Sequence, residues 1–208
     1  MSFHVFKGEG LVGAERPSYR RPADLRETLR DPDGYRAGEE LQRAVNVALA
    51  LSMPLLVTGE PGTGKTQLAY RIAHELGLPS PLRFDTKSSS QADDLFYRFD
   101  RVGHFSRSQV NALSAKAPPD PREFVRFEAL GEAILRSLPG ERIVHLVADP
   151  AAYAQPRQSV VLIDEIDKAP RDFPNDLLHE VDAMAFRIPE LSSAEIAAIS
   201  SMRLLVVK

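Results

Sequence analysis

The chain has 208 residues, of which 43% are apolar, and a formal net charge of −3 at pH 7. This allows one sizeable core. Interspersed charges argue against nucleic-acid or membrane partners, and the lack of cysteine excludes disulfides and zinc–thiolate sites. With no signal-peptide pattern and no apolar run of the ~20 residues that span a bilayer, we expect a cytoplasmic protein.

The first 37 residues (1–37) predict an N-terminal arm, because glycines and prolines interrupt any periodicity. A short helix over 24–29 is expected within it. Residues 38–208 predict one core domain. Its first helix begins near Gly38 and ends before Pro54, with an inward face of Leu41, Ala44, Val45, Ala48 and Leu49.

Residues 54–66 are the most informative segment. An apolar strand at 55–57 leads into Gly-Glu-Pro-Gly-Thr-Gly-Lys-Thr at 59–66, and a helical pattern follows at once. In this order of strand, glycine loop and helix, backbone N–H groups converge on phosphate oxygens. Lys65 would reach the β- and γ-phosphates of ATP, and Thr66 would ligate Mg²⁺. The predicted cofactor-binding residues are Gly59, Pro61, Gly62, Thr63, Gly64, Lys65, Thr66 and Gln67.

A helix and a strand are predicted directly after this loop. The helix ends at Gly77, and the short strand covers 82–86. The inward face of the helix is Leu68, Ala69, Ile72, Ala73 and Leu76.

Residues 87–121 are harder to interpret. We read them as a solvated insert anchored to the core by its aromatic side chains. The alternative is a surface for an acidic partner. Neither His104 nor His179 has metal-ligand neighbours at suitable spacing. A helix over 122–137 and an added strand over 143–147 are expected to follow. The cations of the alternative surface are Arg98, Arg101, His104 and Arg107.

A second chemical motif lies at 159–165, Ser-Val-Val-Leu-Ile-Asp-Glu. Its consecutive apolar residues are typical of a strand buried on both faces of a parallel sheet. Ligands bind at the carboxyl ends of such strands, where Asp164 would hold Mg²⁺ and Glu165 would polarise the water that attacks the γ-phosphate. The acid pair favours an ATP hydrolase over a small-molecule kinase.

The C-terminal part predicts four elements. A helix is expected over 174–184, one arm of a β-hairpin over 186–189, a further helix over 194–199 and a last apolar strand over 204–207.

Four segments together resemble AAA+ ATPases, and within them the MoxR group. They are Gly-Glu-Pro-Gly-Thr-Gly-Lys-Thr (59–66), Leu-Ile-Asp-Glu-Ile-Asp-Lys-Ala-Pro-Arg-Asp (162–172), Asn-Asp-Leu-Leu-His-Glu (175–180) and Leu-Phe-Tyr-Arg-Phe-Asp (95–100). The resemblance implies an α/β P-loop NTPase sandwich with a central, mostly parallel sheet. It also implies a homo-hexameric ring that hydrolyses ATP and remodels a partner, often a von Willebrand A domain protein. In this resemblance Lys65 binds phosphate, Thr66 and Asp164 hold Mg²⁺, and Glu165 is the catalytic base.

The sequence departs from that family in two ways. A polar sensor, an arginine finger and a helical lid would follow the strand that ends near 208, so we expect either a fragment or a shortened protein. A finger supplied in trans is worth ~10³–10⁵ in rate, so hydrolysis by this chain alone should be weak. The interval between Lys65 and Asp164 is long for the family, which indicates a partner-specific insert within 87–155.

Two hypotheses therefore stay open. One is a remodelling ATPase core of MoxR type, and the other is a non-catalytic, nucleotide-dependent switch or assembly subunit.

Overall fold

The computed structural model describes residues 35–173, 175–177, 181, 185–191, 194–197 and 205–207, the last two segments through their backbone. The predicted arm lies outside these residues except for 35–37, as do its helix at 24–29 and His179. The described strands are β1 (Leu55–Leu56), β2 (Leu82–Asp85), β3 (Tyr97–Phe99), β4 (Val125–Phe127), β5 (Val161–Asp164), β6 (Ala185–Ile188), β7 (Ala194–Ala197) and β8 (Leu205–Val207). The described α-helices are α1 (Glu39–Leu51), α2 (Lys65–Glu75), α3 (Arg101–Leu113), α4 (Ala129–Ser137) and α5 (Gly140–Ile143).

A parallel sheet lies at the centre of the fold. Over the part of the chain that is described, its strands run in the order β1–β8–β5–β2, and every pairing is parallel. All four residues of β5 are buried, as expected for an inner strand covered on both faces. The predicted α/β fold with a parallel sheet is therefore confirmed, and the last strand takes its place between β1 and β5.

Helices cover both faces of this sheet. Successive side chains of a strand point to opposite faces, so Val161 and Ile163 pack in one core with α4, whereas Leu162 packs in a second core with α1 and α2. Burying each such side chain contributes about 1.5–3 kcal/mol. The prediction that Leu76 and Ala44 face inward is wrong. Leu76, at the end of α2, is 40% exposed, and Ala44 of α1 is also exposed.

The segment between β2 and β5 folds differently from the prediction. The helix expected over 122–137 begins only at Ala129, because 125–127 form β4 and pair antiparallel with β3. The strand expected over 143–147 is also wrong: helix α5 ends at Ile143, and the chain turns there to bury Leu146.

The segment predicted to be an insert is anchored by an aromatic side chain, while its status as an insert stays a prediction. Phe96 is 1% exposed and stacks on Phe186 at 5.0 Å between ring centroids, so an aromatic residue does anchor the segment. Helix α3 buries none of its residues, and Phe105 is largely exposed. Two cations of the alternative surface are paired within the chain, Arg98 with Glu128 and Arg101 with Glu190.

Of the predicted C-terminal elements, the hairpin arm and the last strand are confirmed, and the helix over 174–184 is described only in part. Within the helix predicted over 174–184, the described residues 175–177 and 181 are helical. Strand β6 forms the expected hairpin arm. The helix predicted at 194–199 is wrong, because 194–197 form β7 and pair antiparallel with β6. None of the described helices has the length and apolarity needed to cross a membrane.

Candidate functional site

The glycine loop connects the end of β1 to the start of α2. Gly59, Gly62 and Gly64 have φ values of 145°, 83° and 82°, a region that residues with a Cβ rarely adopt. A Cβ on Gly64 would lie 2.9 Å from the ring of Tyr35. Gly64 is the N-cap of α2, so the loop presents the unsatisfied N–H groups and positive dipole end of that helix, which together favour an anion.

The Lys65 ammonium is folded back over this loop. Its Nζ donates to the carbonyl oxygens of Gly59 at 2.7 Å and Glu60 at 2.6 Å. The Thr63 hydroxyl also donates to the Glu60 carbonyl, at 2.9 Å. Phosphate oxygens would give the ammonium stronger, charge-assisted hydrogen bonds than neutral carbonyls do, so an anion in the loop would compete for Lys65.

Thr66 and Asp164 meet although they are 98 residues apart in the chain. The Thr66 hydroxyl donates to Asp164 Oδ2 at 3.3 Å. Asp164 is the last residue of β5 and is 2% exposed. Parallel pairing brings the carboxyl end of β5 to the same edge of the sheet as the loop after β1, and this is why two distant motifs form one site.

Arg83 on β2 also reaches Asp164. Its Nη2 lies 3.2 Å from Asp164 Oδ2 and 2.6 Å from Asp85 Oδ1. Partial burial lowers the pKa of Arg83, but the hydrogen bond to Asp85 and the charges of Asp85 and Asp164 outweigh it and raise the pKa overall. This contact was not predicted from the sequence, since the pairing of β2 with β5 cannot be deduced from either strand alone.

Glu165 follows Asp164 in a left-handed conformation, with φ 60° and ψ 42°. Its Oε2 accepts from Lys168 Nζ at 2.7 Å, and its side chain is 44% exposed. The hydrogen bond to Glu165 raises the pKa of Lys168. The predicted base is therefore held by a neighbouring cation, a partner that the sequence analysis missed although Lys168 lies only three residues further on.

A cavity of about 450 Å³ lies among residues 35–37, α1 and α2. Tyr35, whose ring lies next to the Gly64 backbone, is part of its lining, with Arg36 on the same segment. Leu68 and Ile72 of α2 supply an apolar wall. The cavity thus combines aromatic, aliphatic and polar groups beside a site suited to an anion.

The donor set at Thr66 and Asp164 fits Mg²⁺. A hydroxyl and a carboxylate are hard oxygen ligands, and Mg²⁺ in nucleotide sites uses one or two such protein groups together with water and phosphate oxygens. No cluster of three or more His, Cys, Asp or Glu suited to a metal occurs among the described residues.

Comparisons with known proteins add the following. A family model described as AAA domain (dynein-related subfamily) matches residues 54–204. No curated protein sequence matches the chain. Among solved structures, the chain is similar to a RuvB mutant from Thermotoga maritima, with 19% identity and a TM-score of 0.39 over 86% of this chain. The chain covers 42% of the length of that protein.

Proposed function

The chain belongs to the AAA domain family, in its dynein-related subfamily, and we propose that it binds Mg²⁺–ATP in the glycine loop and hydrolyses it. Its fold is that of the AAA+ P-loop NTPases. The observation that carries the proposal is the 3.3 Å contact between Thr66 and Asp164, because it joins the two nucleotide motifs at the carboxyl edge of a parallel sheet.

Each site residue then has a role. Backbone N–H groups of 59–67, apart from Pro61, which has none, bind the phosphates, and Lys65 exchanges its two carbonyl partners for β- and γ-phosphate oxygens. Thr66 and Asp164 hold Mg²⁺, which would neutralise charge that develops on the phosphates. Glu165 polarises the attacking water. The cavity beside Tyr35 takes the nucleoside, since its apolar wall and aromatic ring suit a planar base.

Hydrolysis requires Glu165 to leave Lys168. In the structure Glu165 Oε2 accepts from Lys168 Nζ at 2.7 Å, so this oxygen is already engaged and is not free to orient the attacking water. This ion pair favours a second candidate function, a nucleotide-dependent switch or assembly subunit that binds ATP without appreciable turnover.

We further propose that the chain forms a MoxR-type homo-hexamer that remodels a partner protein. A von Willebrand A domain protein is one candidate partner. It is supported by the four motif segments quoted above. Measuring the mass of the native assembly with and without a non-hydrolysable ATP analogue tests the ring. A particle that stays monomeric at every concentration of protein and nucleotide would contradict it.

Titration with a fluorescent ATP analogue tests nucleotide binding. Lys65→Ala should weaken binding by at least ~10-fold, since it removes charge-assisted hydrogen bonds worth about 1.5–3 kcal/mol. Arg98→Met is a matched control, because Arg98 pairs with Glu128 outside the loop and its loss should leave the affinity unchanged. Equal affinity of Lys65→Ala and the wild type would refute the assignment of the loop.

Turnover separates the two candidate functions. An ATPase that acts between subunits should show specific activity that rises with protein concentration and disappears in Glu165→Gln, while nucleotide affinity is retained. A switch should bind with the same Lys65 dependence and release no phosphate at any concentration.

A further inference from the structure

The carboxylate proposed to hold the metal already has a cation beside it. Arg83 Nη2 lies 3.2 Å from Asp164 Oδ2, the same oxygen that accepts the Thr66 hydroxyl. The guanidinium and the proposed metal site therefore share one carboxylate oxygen. A guanidinium and Mg²⁺ repel each other. The metal-binding role proposed for Asp164 therefore does not explain why an arginine lies beside it.

The guanidinium also has a second acceptor at hand. Arg83 Nε donates to Asp85 Oδ1 at 2.7 Å, and Nη2 lies 2.6 Å from the same atom. Asp85 and Asp164 are register partners on adjacent parallel strands, and Arg83 lies two residues before Asp85 on the same face of β2. The pairing of β2 with β5 thus places one arginine between a buried carboxylate and an exposed one.

We propose that Arg83 is a counter-ion that competes with Mg²⁺ for Asp164, and that Asp85 retains the guanidinium when the metal binds. Without metal, the 2% exposed Asp164 needs a positive neighbour, because an isolated buried charge is strongly unfavourable. With metal bound, that need is met by Mg²⁺, and Asp85 keeps Arg83 paired. Arg83 is a positioning residue in this scheme, since it acts through Asp164. The inference rests on the proposed function and deepens it.

The arrangement has a consequence for selectivity. A metal ion that arrives alone must displace the guanidinium, whereas Mg²⁺ that arrives with a nucleotide brings phosphate charge that offsets the repulsion. The site therefore favours the metal–nucleotide complex over the free ion. The relevant quantity is the factor by which Mg²⁺ strengthens nucleotide binding.

That factor is measurable on the full chain. The dissociation constant of a fluorescent ATP analogue is determined in EDTA and in saturating Mg²⁺. The value in EDTA divided by the value in Mg²⁺ is the ratio that is compared between variants. Arg83→Met should raise the ratio by about two- to fivefold, the range expected when a partly exposed ion pair is removed. Asp85→Asn should lower it, because Arg83 then has Asp164 as its remaining carboxylate.

Controls separate this effect from structural damage. A damaged loop would weaken binding in both conditions and leave the ratio unchanged, so a higher ratio in Arg83→Met cannot come from misfolding. Arg98→Met should keep the wild-type ratio. In the Arg83→Met, Asp85→Asn double variant, the second substitution should have no further effect, since Asp85 acts through Arg83.

A second readout does not involve nucleotide. In EDTA, Arg83→Met should unfold at a lower temperature than the wild type, because Asp164 loses its neighbouring cation.

Failure of the proposed function can be distinguished from failure of the role of Arg83. A wild type that binds no nucleotide overturns the proposed function. A wild type whose binding is strengthened by Mg²⁺, with an equal or smaller ratio in Arg83→Met, overturns the role of Arg83 alone.

Discussion

Glu165 is held in a strained backbone conformation whose energy can be measured. Its φ of 60° places it in the left-handed region, which is about 1–2 kcal/mol unfavourable for a residue with a Cβ. Glycine escapes this strain but gives the unfolded chain about 0.5–1 kcal/mol of extra conformational freedom. Because Glu165→Gly and Glu165→Ala both lose the ion pair with Lys168, that term cancels. The glycine variant should be about 0.5–1 kcal/mol more stable than the alanine variant.

Urea unfolding in EDTA, without nucleotide, measures this difference from the midpoints and slopes of the transitions. Two exposed alanines calibrate it. Ala115 has φ 53°, so Ala115→Gly should stabilise the chain by a similar amount. Ala44 lies inside α1, where Ala44→Gly should destabilise by about 1 kcal/mol.

Equal stability of Glu165→Ala and Glu165→Gly, with both calibrating variants behaving as expected, would contradict this prediction. That result would mean that the backbone after Asp164 is not held in the left-handed region. If the difference is found, the strain fixes the position of the candidate base at the end of β5, which is the kind of site where proteins retain such strain.

Three further outcomes are expected. Ile163→Ala should destabilise the fold by about 2–5 kcal/mol in chemical denaturation, because it leaves a cavity in a fully buried strand; a loss below 1 kcal/mol would contradict the burial of β5. Thr66→Ala should abolish most of the Mg²⁺ dependence of nucleotide affinity while leaving the affinity in EDTA nearly unchanged, and equal losses in both conditions would argue against a metal role. Burial and the neighbouring Glu190 raise the pKa of Tyr97 to about 12 from its ordinary value of 10.0. The raised folded-state pKa means that the stabilising contribution of Tyr97 is complete below pH 10 and disappears as the pH rises towards 12. The wild type should therefore lose stability relative to Tyr97→Phe as the pH rises from 10 towards 12, and a stability difference that stays constant over that range would refute the assignment.

The parts of the site that could be predicted from sequence are those formed by one continuous segment of the chain. The loop conformation could be predicted because glycine is the residue that tolerates positive φ, and the three loop glycines adopt it. The strand before Asp164 is apolar at every position because both of its faces are buried. Local residues sufficed in both cases.

The features that were missed depend on pairing between distant segments. The contact between Arg83 and Asp164 follows from the register of β2 against β5, which neither strand encodes alone. The predictions of short elements were wrong for a related reason. Val125–Phe127 alternates over only three residues, so its pairing with β3 decides a conformation that its local pattern leaves open. The same holds for 194–197, which become a strand by pairing with β6.

The backbone of Glu165 could not be foreseen either. A left-handed glutamate runs against its intrinsic preference, and only the surrounding structure imposes it.

The proposed function requires the loop at 59–66 and Asp164 to form one Mg²⁺–ATP site. A crystal structure of the full chain with Mg²⁺ and a non-hydrolysable ATP analogue would show whether they do. We predict β- and γ-phosphates within hydrogen-bond distance of the loop N–H groups and Lys65 Nζ, and Mg²⁺ at about 2.1 Å from the Thr66 hydroxyl oxygen. Phosphates bound elsewhere, or a metal ion with neither Thr66 nor Asp164 in its coordination shell, directly or through water, would contradict the account.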